Sequence, residues 1–243
     1  MKKILSYPLS VIFYIFFLLT LLIFHPIQWL CLKIGGYNAH KSSVDLFNFF
    51  LMRSLNLLGT RFTFDNPYDI PIEKPIIIVA NHQGMYDIPP IIWNMRKHHP
   101  KFVSKKELGH GIPSISYNLR HGGSVLIDRK NPRESLLKMA KFAKYLNKNN
   151  RSAVIFPEGT RSRTGKPKKF AASGMQLLFK QMPDALIVPI TINNSWKLFK
   201  HGNFPMEPGV HITLKVHEPI PVKSNDPVSL VALVERTITA DIR

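Results

Sequence analysis

Residues 74–87 read "KPIIIVANHQGMYD". Ile76–Ala80 is an unbroken apolar run, rich in β-branched side chains and too short for a helix. Such a run reads as a strand buried on both faces, the kind found inside parallel sheets. Directly after it, "NHQGMYD" (Asn81–Asp87) crowds a histidine, a glycine and an aspartate into the place where the strand should end. His82 and Asp87 are five residues apart, the wrong gap for one face of a regular helix. The gap works if His82 closes the strand and Asp87 opens the next helix, with Gly84 allowing a tight turn between them. A neutral imidazole takes a proton near neutral pH, and does so better when a carboxylate holds its other nitrogen. The plainer reading makes Asp87 an N-cap and His82 a loop residue.

Working outward, the same alternation of elements continues. Arg61–Phe64, Lys101–Lys105, Ser124–Asp128, Ala153–Phe156, Leu186–Thr191 and His211–Val216 read as further strands, and Ile88–Arg96 as a helix. "NPRESLLKMAKFAKYLNKNN" carries a helix start, with Asn131 as N-cap, Pro132 at N1 and Glu134 at N3. Leu136, Leu137, Ala140 and Ala143 are expected on its inner face. A last helix starts at Pro227. Strands alternating with helices predict an α/β domain with a largely parallel sheet flanked by helices, and ligands in such sheets bind at the carboxyl ends of the strands.

The N-terminal part is different. No Asp, Glu, Lys or Arg occurs from Ile4 to Leu32, long enough to cross a bilayer as a helix. A secretory signal is the rival reading, but the run exceeds a usual signal core and no small-x-small cleavage site follows. Lys2 and Lys3 precede the run and Lys33, Lys41 and Arg53 follow it, so charge asymmetry gives no orientation. Both a single span and a helix pair broken at Pro26, entering and leaving one leaflet, fit. "IGGYNAHKSS" (Ile34–Ser43) reads as a hinge, and Val44–Gly59 as a helix with Phe47, Phe50, Leu51, Leu55 and Leu58 at helical spacing and Gly59 as its stop. The expected organisation is a membrane-inserted or interfacial helical segment over residues 1–58, then an α/β domain over 59–243.

The 243 residues hold 33 Lys and Arg against 15 Asp and Glu, a formal charge of +18. A chain so basic is expected to meet nucleic acid, an anionic membrane or a phosphorylated ligand. Its one cysteine, Cys31, excludes an intrachain disulfide and a Cys-rich zinc site. The adjacent His98 and His99 lack acidic partners in sequence, so no metal is expected.

Three more strand ends carry candidate chemistry. "FPEGTRS" (Phe156–Ser162) offers backbone N–H groups around Gly159 and the guanidinium fork of Arg161, both suited to phosphate, with Glu158 placed to orient Arg161 or take a ligand hydroxyl. A solvated turn with a surface ion pair is the alternative. "GGSVLIDR" delivers Asp128 and Arg129, either as a salt bridge or toward a ligand; Lys105 and Lys106 follow a fourth strand and are otherwise solvated. "VPI", around Pro189, reads as core and bend before contact surface.

Together "NHQGMYD", "GSVLIDR", "FPEGTRS" and "IVPI" resemble, in order, the four blocks of the glycerolipid acyltransferase family that contains the lysophosphatidate (1-acylglycerol-3-phosphate) acyltransferases. The resemblance covers roughly residues 60–220, and its first and third blocks together are specific. Many members carry serine where this chain has Gly84, so a hydroxyl able to cap the helix or hold the histidine turn is missing; His82, Asp87, Glu158 and Arg161 are all present. The resemblance implies His82 as general base on the acceptor hydroxyl, oriented by Asp87, with direct attack on an acyl thioester. It implies phosphate contacts from Glu158, Gly159, Thr160 and Arg161, joined by Arg129 and Lys105, and a weaker contact of Pro189 with the acyl donor or its tunnel. It further implies a lysophospholipid acceptor, acyl-CoA or acyl carrier protein as co-substrate, no cofactor, and a place among membrane lipids at the cytoplasmic face of the inner or plasma membrane.

Three rivals are disfavoured by the sequence. A serine hydrolase would need a G-x-S-x-G elbow, which is absent, and "HGG" (His121–Gly123) is read as a plain loop. Nucleic-acid binding would need a recognised module beside its scattered basic residues, so "KPKK" (Lys166–Lys169) is read as a solvated loop beside lipid. A non-catalytic lipid-binding scaffold would explain charge and apolar segment but not the His–Asp pair.

Overall fold

In a computed structural model of the chain, residues 2–223 and 226–243 are described. Ile76–Ala80 is indeed a strand, β2, and all five residues are fully buried. It runs through the middle of an eight-stranded sheet. The other strands are β1 (Arg61–Asp65), β3 (Pro100–Lys105), β4 (Val125–Ile127), β5 (Ser152–Ile155), β6 (Leu186–Asn193), β7 (His211–Val216) and β8 (Ile220–Pro221). Their order is β1-β7-β6-β2-β5-β3-β4, with β8 beside β6. β2 is parallel to both neighbours, Val79 pairing with Ile155 of β5 and Ala80 with Ile190 of β6. Among the described residues, only the β6–β7 and β6–β8 pairs are antiparallel. The sheet is therefore largely parallel, and the ends of β2, β5, β3 and β4 all point to one edge.

Helices cover both faces. The α1 helix (Lys2–Asn56) and α2 (Ile88–Asn94) belong to the side where Ile76, Ile78 and Ala80 are packed; α4 (Pro132–Lys148), α5 (Ala172–Gln181) and α6 (Pro227–Ala240) cover Ile77 and Val79. A shorter helix, α3 (Ile115–His121), follows β3. The start of α4 is capped as its sequence predicts, Asn131 Oδ1 accepting from Glu134 N at 3.1 Å. Its inner face differs from expectation. Ser135, Met139, Phe142, Ala143 and Leu146 are buried, whereas Leu136 and Leu137 are exposed. The stripe at 135, 139, 142, 143 and 146 follows the helical repeat and takes the core, and Leu136 and Leu137 fall outside it.

The long N-terminal element also departs from its sequence reading. The helix runs through Pro8 and Pro26, so Pro26 is no break. The interruption is at Gly36 alone, with φ 64° and ψ −155°, a conformation that glycine adopts without steric cost. Residues 37–43, expected as hinge, are helical. Before the kink, Phe13, Leu21 and Phe24 face inward while Val11, Ile15, Phe16, Leu19, Leu22 and Ile23 lie open on the outer side. After it, Phe47, Leu51, Leu55 and Leu58 are buried, but Phe50 is 43% exposed. Gly59, at φ 69°, ends the turn that follows.

Tyr37, the first residue past the kink, fastens this second half to the start of β3. Its hydroxyl meets His99 Nδ1 at 2.9 Å, and Arg151 and Lys101 lie over its ring at 3.4 and 4.9 Å. Lys101 is 7% exposed. Burial, then the nearby Arg151, pushes its ammonium down to about 7. The folded chain thus binds fewer protons than the unfolded chain between about pH 7 and the ordinary lysine value of 10.5. The penalty for burying Lys101 is full below that window and fades as pH rises through it. Lys101→Met is expected to raise the melting temperature near neutrality, with the gain shrinking toward pH 10.5 in parallel thermal melts. A gain independent of pH would trace the effect to something other than the charge.

Candidate active site

The end of β2 is held before any chemistry begins. Beyond Ala80, β6 continues three residues further, leaving the backbone of Ile192 without a strand partner on that side. Asn81 supplies one from its side chain: Nδ2 donates to Ile192 O at 2.8 Å, and Oδ1 accepts from Ile192 N at 2.7 Å. A buried amide thus imitates a strand residue and sets where the chain turns.

The turn then brings His82 and Asp87 together. His82 Nδ1 lies 2.8 Å from Asp87 Oδ2. The same oxygen accepts from the backbone N–H groups of Gln83 and Gly84 at 2.7 and 2.9 Å. Asp87 is fully buried, while the His82 side chain keeps 16% of its surface. A carboxylate that only accepts needs the proton on Nδ1, so Nε2 is left as the free lone pair. The ring is stacked on Phe156, centroids 4.2 Å apart and planes 17° apart. Gly84 has φ −152°, an ordinary extended value, so the turn itself does not demand glycine. What crowds the position is Ser195, whose Oγ would sit 3.3 Å from a Cβ at position 84. Ser195 Oγ donates to the second oxygen of Asp87, in a short bond.

Glu158 braces the turn from the neighbouring strand. Its Oε1 accepts from His82 N at 2.7 Å and its Oε2 from Lys168 N at 3.1 Å. Ser162 N returns a bond to His82 O at 2.7 Å. Burial pushes the Glu158 carboxyl above the usual carboxylate range, against the pull of those two donors. Its partners are backbone groups, not the Arg161 that the sequence suggests.

Gly159, at φ 70°, makes the bend after Glu158, and Thr160 and Arg161 are exposed beyond it. "KPKK" folds back onto this bend: Lys168 Nζ donates to Thr160 Oγ1 at 2.7 Å and to Arg161 O at 3.1 Å. The stretch read as a solvated loop is therefore part of the same basic rim. Lys105 and Arg129 lie exposed at or just past the ends of β3 and β4, further along that edge. Asp128 is taken by Lys106, at 2.5 Å, rather than by Arg129. Pro189 stands apart from the rest. It is buried within β6 opposite Val79, a level below the end of β2, and offers almost no surface to a ligand. Lys168 and Ser195 are the residues of this region that the sequence reading missed.

A family model described as Acyltransferase matches residues 61–193, which span every element described above from β1 to the end of β6. The chain belongs to the Acyltransferase family. Among curated acyltransferase relatives, it is 32% identical over 156 residues to a 1-acyl-sn-glycerol-3-phosphate acyltransferase of Chlamydomonas reinhardtii, covering 64% of this chain and 45% of that one. It is 34% identical over 126 residues to the 1-acyl-sn-glycerol-3-phosphate acyltransferase of Helicobacter pylori, covering 51% and 50%. The chain thus spans about half the length of these two relatives. The crystal structure of the 1-acyl-sn-glycerophosphate (LPA) acyltransferase PlsC from Thermotoga maritima superposes with a TM-score of 0.78, covering 99% of this chain and 95% of that one at 22% identity. That likeness establishes a shared fold.

Asn81→Ala is expected to destabilise the fold by about 2–4 kcal/mol, because it strips both partners from a buried backbone N–H and C=O. Urea denaturation checks this; a loss below about 1 kcal/mol would mean that the β6 extension is held by other means.

Proposed function

We propose that the protein transfers a fatty acyl group from an acyl thioester to the free sn-2 hydroxyl of lysophosphatidate, giving phosphatidate. The observation that carries this reading is the buried His82–Asp87 pair with Nε2 left free at the carboxyl edge of the sheet. Asp87 holds the imidazole in one tautomer and balances the charge it gains. His82 Nε2 takes the proton of the acceptor hydroxyl as that oxygen attacks the thioester carbonyl. The carbon–sulfur bond breaks, and the thiolate leaves and recovers the proton from the imidazolium. A thiolate is a good leaving group, so the chain's own residues suffice for each of these steps.

The acceptor's phosphate is assigned to the basic rim on the β5 side of His82. Gly159, Thr160 and Arg161 would meet it directly, with Lys168 beside them and Arg129 and Lys105 further along the edge. Glu158 would act in this scheme by fixing the turn, since both of its oxygens already hold N–H groups. The donor is acyl-CoA or acyl carrier protein. The open apolar side of α1 supports placement at a membrane, with its exposed side chains in the acyl layer and the site at the interface. This reading places the site at the cytoplasmic face of the inner or plasma membrane.

The test is acyl transfer in mixed micelles, offering a labelled thioester with lysophosphatidate, other lysophospholipids and glycerol-3-phosphate in parallel. His82→Ala is expected to lower kcat by about 10²–10⁴-fold. Arg161→Ala is expected to raise KM for lysophosphatidate about tenfold or more, with a smaller effect on kcat. Transfer to a different acceptor alone would keep the chemistry and replace the substrate. Binding of lipid with no transfer to any acceptor would leave a lipid-binding scaffold.

A further inference from the structure

The Asp87 carboxylate is served from two parts of the chain. Its Oδ2 takes three donors from its own turn, the His82 ring and the N–H groups of Gln83 and Gly84. Its Oδ1 takes the hydroxyl of Ser195, 108 residues further on. Ser195 is fully buried and opens a 3-10 turn, Ser195–Phe199, just past β6. That turn is firmly placed. Asn194, at φ 71°, directs the chain into it and donates from Nδ2 to His211 O at 2.9 Å. At its other end Phe199 lies parallel to Tyr86 of the histidine turn, centroids 5.8 Å apart.

We propose that Ser195 is a positioning residue for the His82–Asp87 pair, supplying from β6 the hydroxyl that a serine at position 84 would otherwise bring. The inference rests on the reading of His82 and Asp87 given above. Positions 84 and 195 compete for one space. A Cβ on residue 84 would lie 3.3 Å from Ser195 Oγ and 3.4 Å from Ser195 O, so a side chain at 84 would project onto the serine. The backbone at 84 is extended and would accept any residue; a Cβ there would need Ser195 to give by a few tenths of an ångström. Glycine at 84 and serine at 195 therefore belong together. Fixing Oδ1 fixes the plane of the carboxylate, and hence the direction in which Oδ2 holds the imidazole.

A contact among serine, aspartate and histidine also invites comparison with a nucleophilic triad, but the order is wrong. In such a triad the hydroxyl donates to the imidazole. Here it donates to the carboxylate oxygen that does not face the imidazole, and it has no exposed surface.

The experiment compares wild type, Ser195→Ala, Gly84→Ser and the double variant Gly84→Ser/Ser195→Ala, all as full-length protein in detergent. Ser195→Ala is expected to lower kcat about ten- to a hundredfold, as loss of a bond to a charged group does, with KM for both substrates within about twofold. The double variant, whose new hydroxyl enters the space Ser195 vacated, is expected to recover most of that kcat. Gly84→Ser alone places two hydroxyls in one space and is expected to lower the melting temperature. A second readout needs no turnover: the Nδ1 proton of His82, assigned by its absence in His82→Ala, is expected as a hydrogen-bonded proton resonance in wild type and the double variant, and exchange-broadened in Ser195→Ala. Unchanged kcat and resonance in Ser195→Ala would overturn the proposal, as would a loss that Gly84→Ser fails to restore, or labelled acyl groups found on Ser195. Inactivity of wild type on every acceptor would count against the acyl-transfer reading, while the resonance would still decide the role of Ser195.

Discussion

A carboxylate with no access to water organises this molecule's functional edge. Asp87 is fully buried, and burying a carboxylate is costly unless its lone pairs find donors. Its donors come from the imidazole of His82, from two backbone N–H groups of its own turn and from Ser195. To gather them, the chain must leave β2 at a fixed point, turn within a few residues and meet the end of β6. Asn81 enforces the first condition and Glu158 steadies the turn from β5. The central three strands of the sheet are thus tied to one another through polar side chains at their carboxyl ends as well as through their ladders.

The same turn is tied to the N-terminal helix by aromatic packing. Tyr86 lies between Phe199 on one side and Phe13 and Phe17 of α1 on the other. The helix is therefore not a detached appendage. One of its faces is part of the core under the histidine turn, and Tyr37, past the kink, grips the far end of β3. Its opposite face presents a continuous apolar surface.

What the sequence disclosed, and what it hid, follows from the range of the interactions. The buried strand Ile76–Ala80 is legible because an apolar run of that length has few other uses, and the start of α4 because Asn131, Pro132 and Glu134 act within one turn. His82 and Asp87 are legible as a pair because both lie in one short segment. Glu158 is legible as unusual but not in its partners, which are backbone N–H groups that carry no residue identity. Ser195 was hidden because its contact with Asp87 depends on a segment 108 residues away returning to the edge, and Lys168 because an irregular loop that folds back on Thr160 leaves no periodic pattern. The hinge was located but drawn too broadly: all of Ile34–Ser43 looked permissive, while a single positive φ at Gly36 was enough, and the helix resumed at once.

The unequal length of the strands on either side of β2 gives the edge a profile. Toward β5 the neighbouring ladder stops at Val79 and Ile155, and the chain bends away through Gly159. Toward β6 the strand rises three residues past Ala80, backed by antiparallel β7 and crowned by the Ser195–Phe199 turn. The histidine thus stands at the foot of a cliff, with low ground on its basic side. Handedness follows from this relief: the two sides of His82 are not interchangeable.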